Sequence, residues 1–153
     1  MIREARHEDL DALVAGNHAM ALETERLRLD PAVLRAGVTA VLEGRAPGRY
    51  YVFEADGRVL AQLMITFEWS DWRDRVVWWI QSVYVDPEHR RRGLYGQLYA
   101  AVREEARAAG AAGLRLYVDA SNTHAQATYE ALGMDGGHYR VFEAMFDEPA
   151  RDA

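Results

Sequence analysis

The sequence predicts a mixed α/β domain on three observations. Two segments with helical spacing precede a hairpin signal, in which residues 50–54 and 59–66 flank Asp56-Gly57. The most strand-prone stretch of the chain, residues 76–85, follows the hairpin. From there helical periods alternate with short apolar runs, a β-α-β-α-β order.

Each element has its own signal. Residues 2–5 read as a short opening strand. Between 7 and 22, Leu10, Leu13, Val14 and Ala21 share one helical face, with Gly16 in the middle. Glu23-Thr24-Glu25-Arg26 reads as a charged connection. Asp30-Pro31 is an N-cap followed by proline at the first helical position, and that helix runs to Gly44. Residues 68–74 are polar and aromatic, a loop. The strand at 76–85 closes at Asp86-Pro87; its adjacent Trp78 and Trp79 point to opposite faces. One enters the core, and the other needs cover under a helix or in a partner chain. Leu94, Leu98, Val102 and Ala106 give a helix over 93–109 that Gly110 and Gly113 end. A strand at 114–118, a helix capped by Ser121-Asn122 that ends at Gly133, and an alternating last strand at 139–146 complete the expectation. One domain is expected over 1–148, with a polar tail at 149–153.

Composition narrows the function. The chain has 153 residues, 50% apolar and 27% charged, with a net charge of −6. It contains no cysteine, and all 18 basic residues are arginine. Disulfides, thiolate metal sites, a cysteine nucleophile, a Schiff-base lysine and a Walker lysine are therefore excluded. The acidic balance argues against nucleic acid as partner. No apolar run approaches the roughly 20 residues that span a bilayer, and Met1-Ile2-Arg3-Glu4 does not open a secretion signal, so a cytoplasmic protein is expected. His89, His124 and His138 show no metal-ligand spacing, and no metal is expected.

Two motifs carry chemistry. In Val83-Tyr84-Val85-Asp86-Pro87-Glu88-His89-Arg90-Arg91-Arg92-Gly93-Leu94-Tyr95-Gly96 a strand ends, an arginine-rich turn follows, and a helix opens at a glycine pair. N–H groups at a helix start lack intrahelical partners and sit at the positive end of the dipole, so they suit a pyrophosphate. A solvated arginine run ahead of an ordinary helix would read the same locally. The second motif places Asn122 and Tyr129 seven residues apart, two helical turns on one side of a helix. A tyrosine packed on the sheet is the bland alternative there.

Together, in this order, the two motifs resemble the GNAT superfamily of N-acetyltransferases over at least residues 76–146. The family's Gln/Arg-x-x-Gly-x-Gly/Ala loop is matched by Arg90-Arg91-Arg92-Gly93-Leu94-Tyr95, with Tyr95 where a small residue is usual and Gly96 one place later. The resemblance implies a mixed sheet with antiparallel N-terminal strands, a parallel pair splayed at the cofactor site, and flanking helices. It implies acetyl-CoA as co-substrate, held by backbone groups of Val83 and Val85, by Arg91, Arg92, Gly93, Leu94, Tyr95 and Gly96, and by Asn122. An amine then attacks the thioester directly, with Tyr129 as general acid. Where related amine acetyltransferases place a glutamate on the central strand, this chain has Gln81. The base is left among Glu23, Glu25, Glu68 and Asp71. These acids, with Trp69 and Trp72, suggest a small cationic acceptor such as a diamine, and the resemblance also implies a homodimer. An acyl-CoA sensor without turnover and a protein N-acetyltransferase are the alternatives.

Overall fold

The computed structural model describes residues 1–147. It comprises two compact units, residues 1–116 and the residues from 117 onward. The first holds β1 (Ile2–Glu4), α1 (Leu10–Glu25), α2 (Pro31–Leu42), β2 (Arg49–Ala55), β3 (Arg58–Ser70), β4 (Arg75–Val85), α3 (Leu94–Ala108) and β5 (Gly113–Leu116). The strands form one sheet in the order β1-β2-β3-β4-β5, antiparallel except for the parallel pair β4–β5. The second unit is built on α4 (Thr123–Ala131). The mixed α/β expectation holds. The expected tail from 149 lies outside the described residues.

Three boundaries differ from the sequence reading, each for a physical reason. Glu23-Thr24-Glu25 belongs to α1, which ends only where Arg26 turns left-handed at φ 52° and Leu27 N–H donates to Ala21 O at 3.1 Å. Glu68, Trp69 and Ser70 belong to β3, paired with Val77, Val76 and Arg75. Cross-strand contact carries the ladder past the polar residues, since Phe67 meets Trp78 edge-on with ring centroids 5.6 Å apart. The loop shrinks to residues 71–74. Residues 139–146 form no strand, and Phe142 and Phe146 are 92% and 99% exposed. Alternation marks a segment that suits a ladder, but only a hydrogen-bonded neighbour makes it one.

Strand alternation sorts the core into two faces. On one, Tyr50 and Val52 of β2 pack with Leu10 and Leu13 of α1 and Val38 and Val41 of α2. On the other, Tyr51, Leu63, Ile65 and Trp78 lie with α3, whose Leu94, Leu98 and Val102 are buried. Burial of each such side chain stabilises by about 1.5–3 kcal/mol. Tyr51 crosses the layer and donates to Glu105 Oε2 at 2.6 Å, and burial with that carboxylate lifts its phenol well above the ordinary range. Trp78 enters the core as expected. Trp79, on the opposite face, donates its indole N–H to Glu68 Oε2 at 2.6 Å, so it finds its partner within the chain.

A polar clasp secures the N-terminus. Arg3 sends Nη1 and Nη2 to the two oxygens of buried Asp9, at 2.8 and 3.0 Å, and Nε to Glu54 at 2.7 Å. The bidentate guanidinium and the Arg6 N–H hold the Asp9 carboxyl below its usual range. Its stabilising effect is therefore present above the ordinary carboxylate pKa and is lost as pH falls through the depressed value.

Gly16 has an equally specific cause. Gln62 of β3 is buried and donates Nε2 to Leu13 O at 3.1 Å; a Cβ on Gly16 would fall 2.2 Å from its Oε1. A side chain at 16 must displace a buried, hydrogen-bonded amide, at a cost of about 1–3 kcal/mol. That exceeds the roughly 1 kcal/mol by which alanine improves on glycine in a helix. Gly37 of α2 has nothing within 4 Å of its Cβ position and is exposed. Denaturant unfolding should therefore show Gly16→Ala less stable by about 1 kcal/mol and Gly37→Ala more stable by about 0.5–1 kcal/mol. A stabilised Gly16→Ala would remove the role given to Gln62.

Candidate active site

β4 is paired on both sides as far as Ile80, and on one side beyond it. Its parallel pairing with β5 ends at Ile80–Leu116. Its antiparallel pairing with β3 steps from Ile65–Ile80 to Met64–Ser82, which leaves Gln81 as an extra residue, a β-bulge. The bulge sets which groups face outward. Asp86 N–H donates to Leu60 O at 2.9 Å, so Ser82, Tyr84 and Asp86 are the residues that bond to β3. Val83 and Val85 consequently turn their N–H and C=O groups to the other edge, where, among the described residues, no strand pairs with them. An extended molecule with amide groups of its own can use such an edge as a strand would.

Beyond β4 the chain turns tightly into α3. Asp86 caps a single 3-10 turn, its Oδ1 accepting from Glu88 N–H at 2.9 Å. Asp86, Glu88 and His89 bring ligand-type atoms within 4.8 Å of one another, but the aspartate is engaged as that cap. Arg91 and Gly93 are both left-handed, at φ 62° and 75°. Gly93 is the N-cap of α3, without a side-chain cap, and the first turn of the helix carries no acidic residue. The positive end of the α3 dipole thus meets no carboxylate of its own helix, with Arg91 and Arg92 exposed just ahead of it. Leu94 anchors the helix in the core, and the half-buried Tyr95 ring lies against Tyr99 at 6.2 Å. A Cβ at Gly93 or Gly96 would meet no protein atom within 4 Å, so packing demands neither glycine. Gly93 is fixed by its backbone angle.

The carboxylates are not gathered in one place. Glu68 shares one face of the β3–β4 ladder with Thr66 and Trp79, and the bulged Gln81 donates Nε2 to Thr66 Oγ1 at 2.7 Å. Both Glu68 oxygens are engaged, one by Trp79 and the other by an ion pair with Arg115 of β5. Glu23 and Glu25 lie in the last turn of α1; Glu23 Oε2 accepts from Arg90 at 2.7 Å. Asp71 sits at the β3–β4 tip, where its Oδ1 accepts from Trp72 N–H at 2.9 Å. Trp69, read from sequence as a neighbour of Glu68, points to the opposite face of β3. Thr66 and Arg115 carried no signal of their own in the sequence, nor did the partners of Trp79 and Arg90. Period-two spacing of Thr66 with Glu68 and of Trp79 with Gln81 was the one hint of a shared face.

In the second unit, Asn122 is the N-cap of α4, its Oδ1 accepting from Ala125 N–H at 3.1 Å. Seven residues on, Tyr129 lies on the same side of that helix. Burial pushes its phenol upward, so it is protonated at neutral pH.

The acetyltransferase (GNAT) family matches residues 14–134. A possible acetyltransferase from Clostridium difficile 630 is 42% identical, with TM-score 0.89, over 97% of this chain and 98% of that one. The aminoglycoside N-acetyltransferase AAC(6')-Iy, in complex with CoA, is 19% identical and shares the fold at TM-score 0.79 over 95% of this chain and 93% of its own. The same enzyme bound to a bisubstrate analogue, CoA-S-monomethyl-acetylneamine, superimposes at TM-score 0.78 with 19% identity, over 95% and 97%. No curated protein matches the chain.

This helix start leads to a test at Gly93. A β-branched residue held left-handed costs about 1–2 kcal/mol. Gly93→Val should weaken coenzyme A binding about tenfold or more by calorimetry, while circular dichroism reports a folded chain. Gly93→Asn, which tolerates this backbone region, should lose less. Equal affinity in a folded Gly93→Val protein would show that this helix start takes no part in coenzyme A binding.

Proposed function

The chain belongs to the acetyltransferase (GNAT) family, enzymes that take their acetyl group from acetyl-CoA, and from that premise we propose that it acetylates a small primary amine bearing a second positive charge. The observation that carries the donor side is the edge of β4 from Gln81 to Val85, which among the described strands pairs with β3 alone and runs into a left-handed, arginine-rich helix start. Val83 supplies its N–H and C=O and Val85 its N–H for the pantetheine arm, the Val85 carbonyl being engaged by Arg90, and residues 91–96 supply N–H groups for the pyrophosphate. Asn122 is proposed as a further cofactor contact.

The transfer needs two proton movements. An ammonium must lose its proton before it attacks, and the departing thiolate gains one. Tyr129 is proposed as the acid, supported by the burial that keeps its phenol protonated. Gln81 carries an amide and cannot serve as base; its bond to Thr66 fits it to orient water or substrate. The base belongs among Glu23, Glu25, Glu68 and Asp71, acting through water. Gln81 in place of an acid is also what favours the second reading, an acyl-CoA sensor without turnover.

The charge of the acceptor is inferred from the acidic rim and its aromatic neighbours. Glu23 and Glu68 each meet an arginine, which reduces their pull on a cation. Asp71 beside Trp72, which is 88% exposed, combines a carboxylate with a ring face worth about 0.5–2 kcal/mol to a cation. One structural neighbour, AAC(6')-Iy, is by name an aminoglycoside N-acetyltransferase. A homodimer remains part of the proposal, although Trp79 no longer argues for it.

The decisive assay compares a polyamine, a neutral-tailed monoamine and an acidic amino acid with acetyl-CoA, reading released thiol at low and high salt. The polyamine should have the highest kcat/KM, with a preference that shrinks as salt screens it. An acidic amino acid as best acceptor, or an unchanged polyamine kcat/KM in Asp71→Asn and Glu68→Gln, would refute the cationic acceptor. No thiol release with any amine would favour the sensor. In the active enzyme, Tyr129→Phe should lower kcat about 10²-fold while acetyl-CoA affinity is retained. Undiminished kcat with chemistry rate-limiting would leave Tyr129 a packing residue.

A further inference from the structure

Arg90 is the most heavily engaged arginine near the start of α3, and neither the donor nor the acceptor role uses its side chain. Its Nε donates to Val85 O at 3.0 Å, its Nη2 to Glu23 Oε2 at 2.7 Å, and its guanidinium lies 5.7 Å from the centroid of the Tyr84 ring. Residues 67 positions apart in sequence are thereby joined. One contact grips the carbonyl at the end of β4, where the turn into α3 begins. Another grips the last turn of α1, directly ahead of the left-handed Arg26 and the 26–30 connection to α2. A planar five-donor fork can hold a carboxylate and a carbonyl at once while it stacks on a ring; an ammonium cannot match all three.

We propose that Arg90 is a positioning residue that fastens the end of α1, and with it the 26–30 connection, to the end of β4, so that this connection, the segment we assign to the acceptor side, is registered against the donor edge. Glu23 is then a strut rather than a substrate contact. Its carboxylate faces the guanidinium of Arg90, and the α1 turn it belongs to holds its place because β4 holds Arg90. The consequence for the acceptor rests on the amine-acetylation reading above, whereas the fastening itself does not.

The two levels are tested separately. Amide hydrogen exchange of the free protein should show residues 20–30 exchanging about three- to tenfold faster in Arg90→Ala and in Glu23→Gln, with α2 and β2 unaffected, since partly exposed ion pairs are individually weak. Unchanged exchange in either variant overturns the fastening whatever the enzyme does. In turnover, Arg90→Ala should raise the KM of the amine about five- to tenfold, with kcat and the calorimetric acetyl-CoA affinity each within about twofold. The double variant should be no worse than Arg90→Ala alone, and Arg90→Lys should be intermediate. Additive losses, or an effect confined to acetyl-CoA affinity, would make Arg90 a cofactor contact and refute positioning. If the wild type acetylates no amine, the functional proposal falls, and the exchange experiment still decides this one.

Discussion

The parallel ladder between β4 and β5 stops at Ile80–Leu116, while the antiparallel ladder between β4 and β3 continues to Val85 with Gln81 bulged out of it. The open edge of β4 depends on this mismatch of lengths. Were β5 longer, the outward amides of Val83 and Val85 would be spent on a strand. Were Gln81 paired with Met64 instead of bulged, the residues beyond it would shift by one, and Ser82 and Tyr84 would present their backbone to the open edge instead. A single inserted residue thus decides which groups the edge offers, and the β3 pairing keeps that choice rigid. The 3-10 turn at 87–89 and the left-handed residues at 91 and 93 then redirect the chain so that α3 starts where β4 ends.

The polar contacts of the first unit have a common form. Arg3 joins β1 to Asp9 and to β2, Tyr51 joins β2 to α3, Gln62 joins β3 to α1, and Glu68 joins β3 to β4 and β5. Each joins separate elements, and most join elements distant in sequence, at places where apolar packing alone would tolerate sliding. Buried polar groups cost stability when left unmatched. A slipped register would break several of these pairs together, so they select one alignment more than they strengthen it.

The sequence was most informative where a residue type has one dominant backbone consequence. Asp30-Pro31 marked the start of α2, Asp56-Gly57 marked the β2–β3 turn, and the glycine after three arginines marked α3; the opposed tryptophans followed from strand geometry alone. What was illegible was long-range or cumulative. Nothing local in Glu68-Trp69-Ser70 separates a loop from a strand, because the deciding contacts come from Val76 and Trp78 across the ladder. Alternation cannot register a bulge, since one extra residue in 76–85 leaves the composition strand-like. Gly16 looked like a weak point of α1 because its reason, the Gln62 amide, lies 46 positions away. The pairing of Glu23 with Arg90 and of Glu68 with Arg115 was hidden in the same way, and it turned two presumed substrate carboxylates into engaged ones. The last expected strand failed for the converse reason, as residues 139–146 have the pattern without a ladder.

Two ion pairs flank β4, Arg90 with Glu23 beyond its open edge and Arg115 with Glu68 across its doubly paired part, and both are made by guanidinium groups. A lysine could have supplied the same charge in either place. Its ammonium, however, reaches a free-base form within the range where cells operate when its surroundings favour it, and a free amine is the very nucleophile that a thioester accepts. A guanidinium, protonated to pH values above about 12, is no rival for the acyl group. An enzyme that must hold an activated acetyl while awaiting its acceptor is thereby immune to one form of self-inactivation, the slow acylation of its own supporting cations.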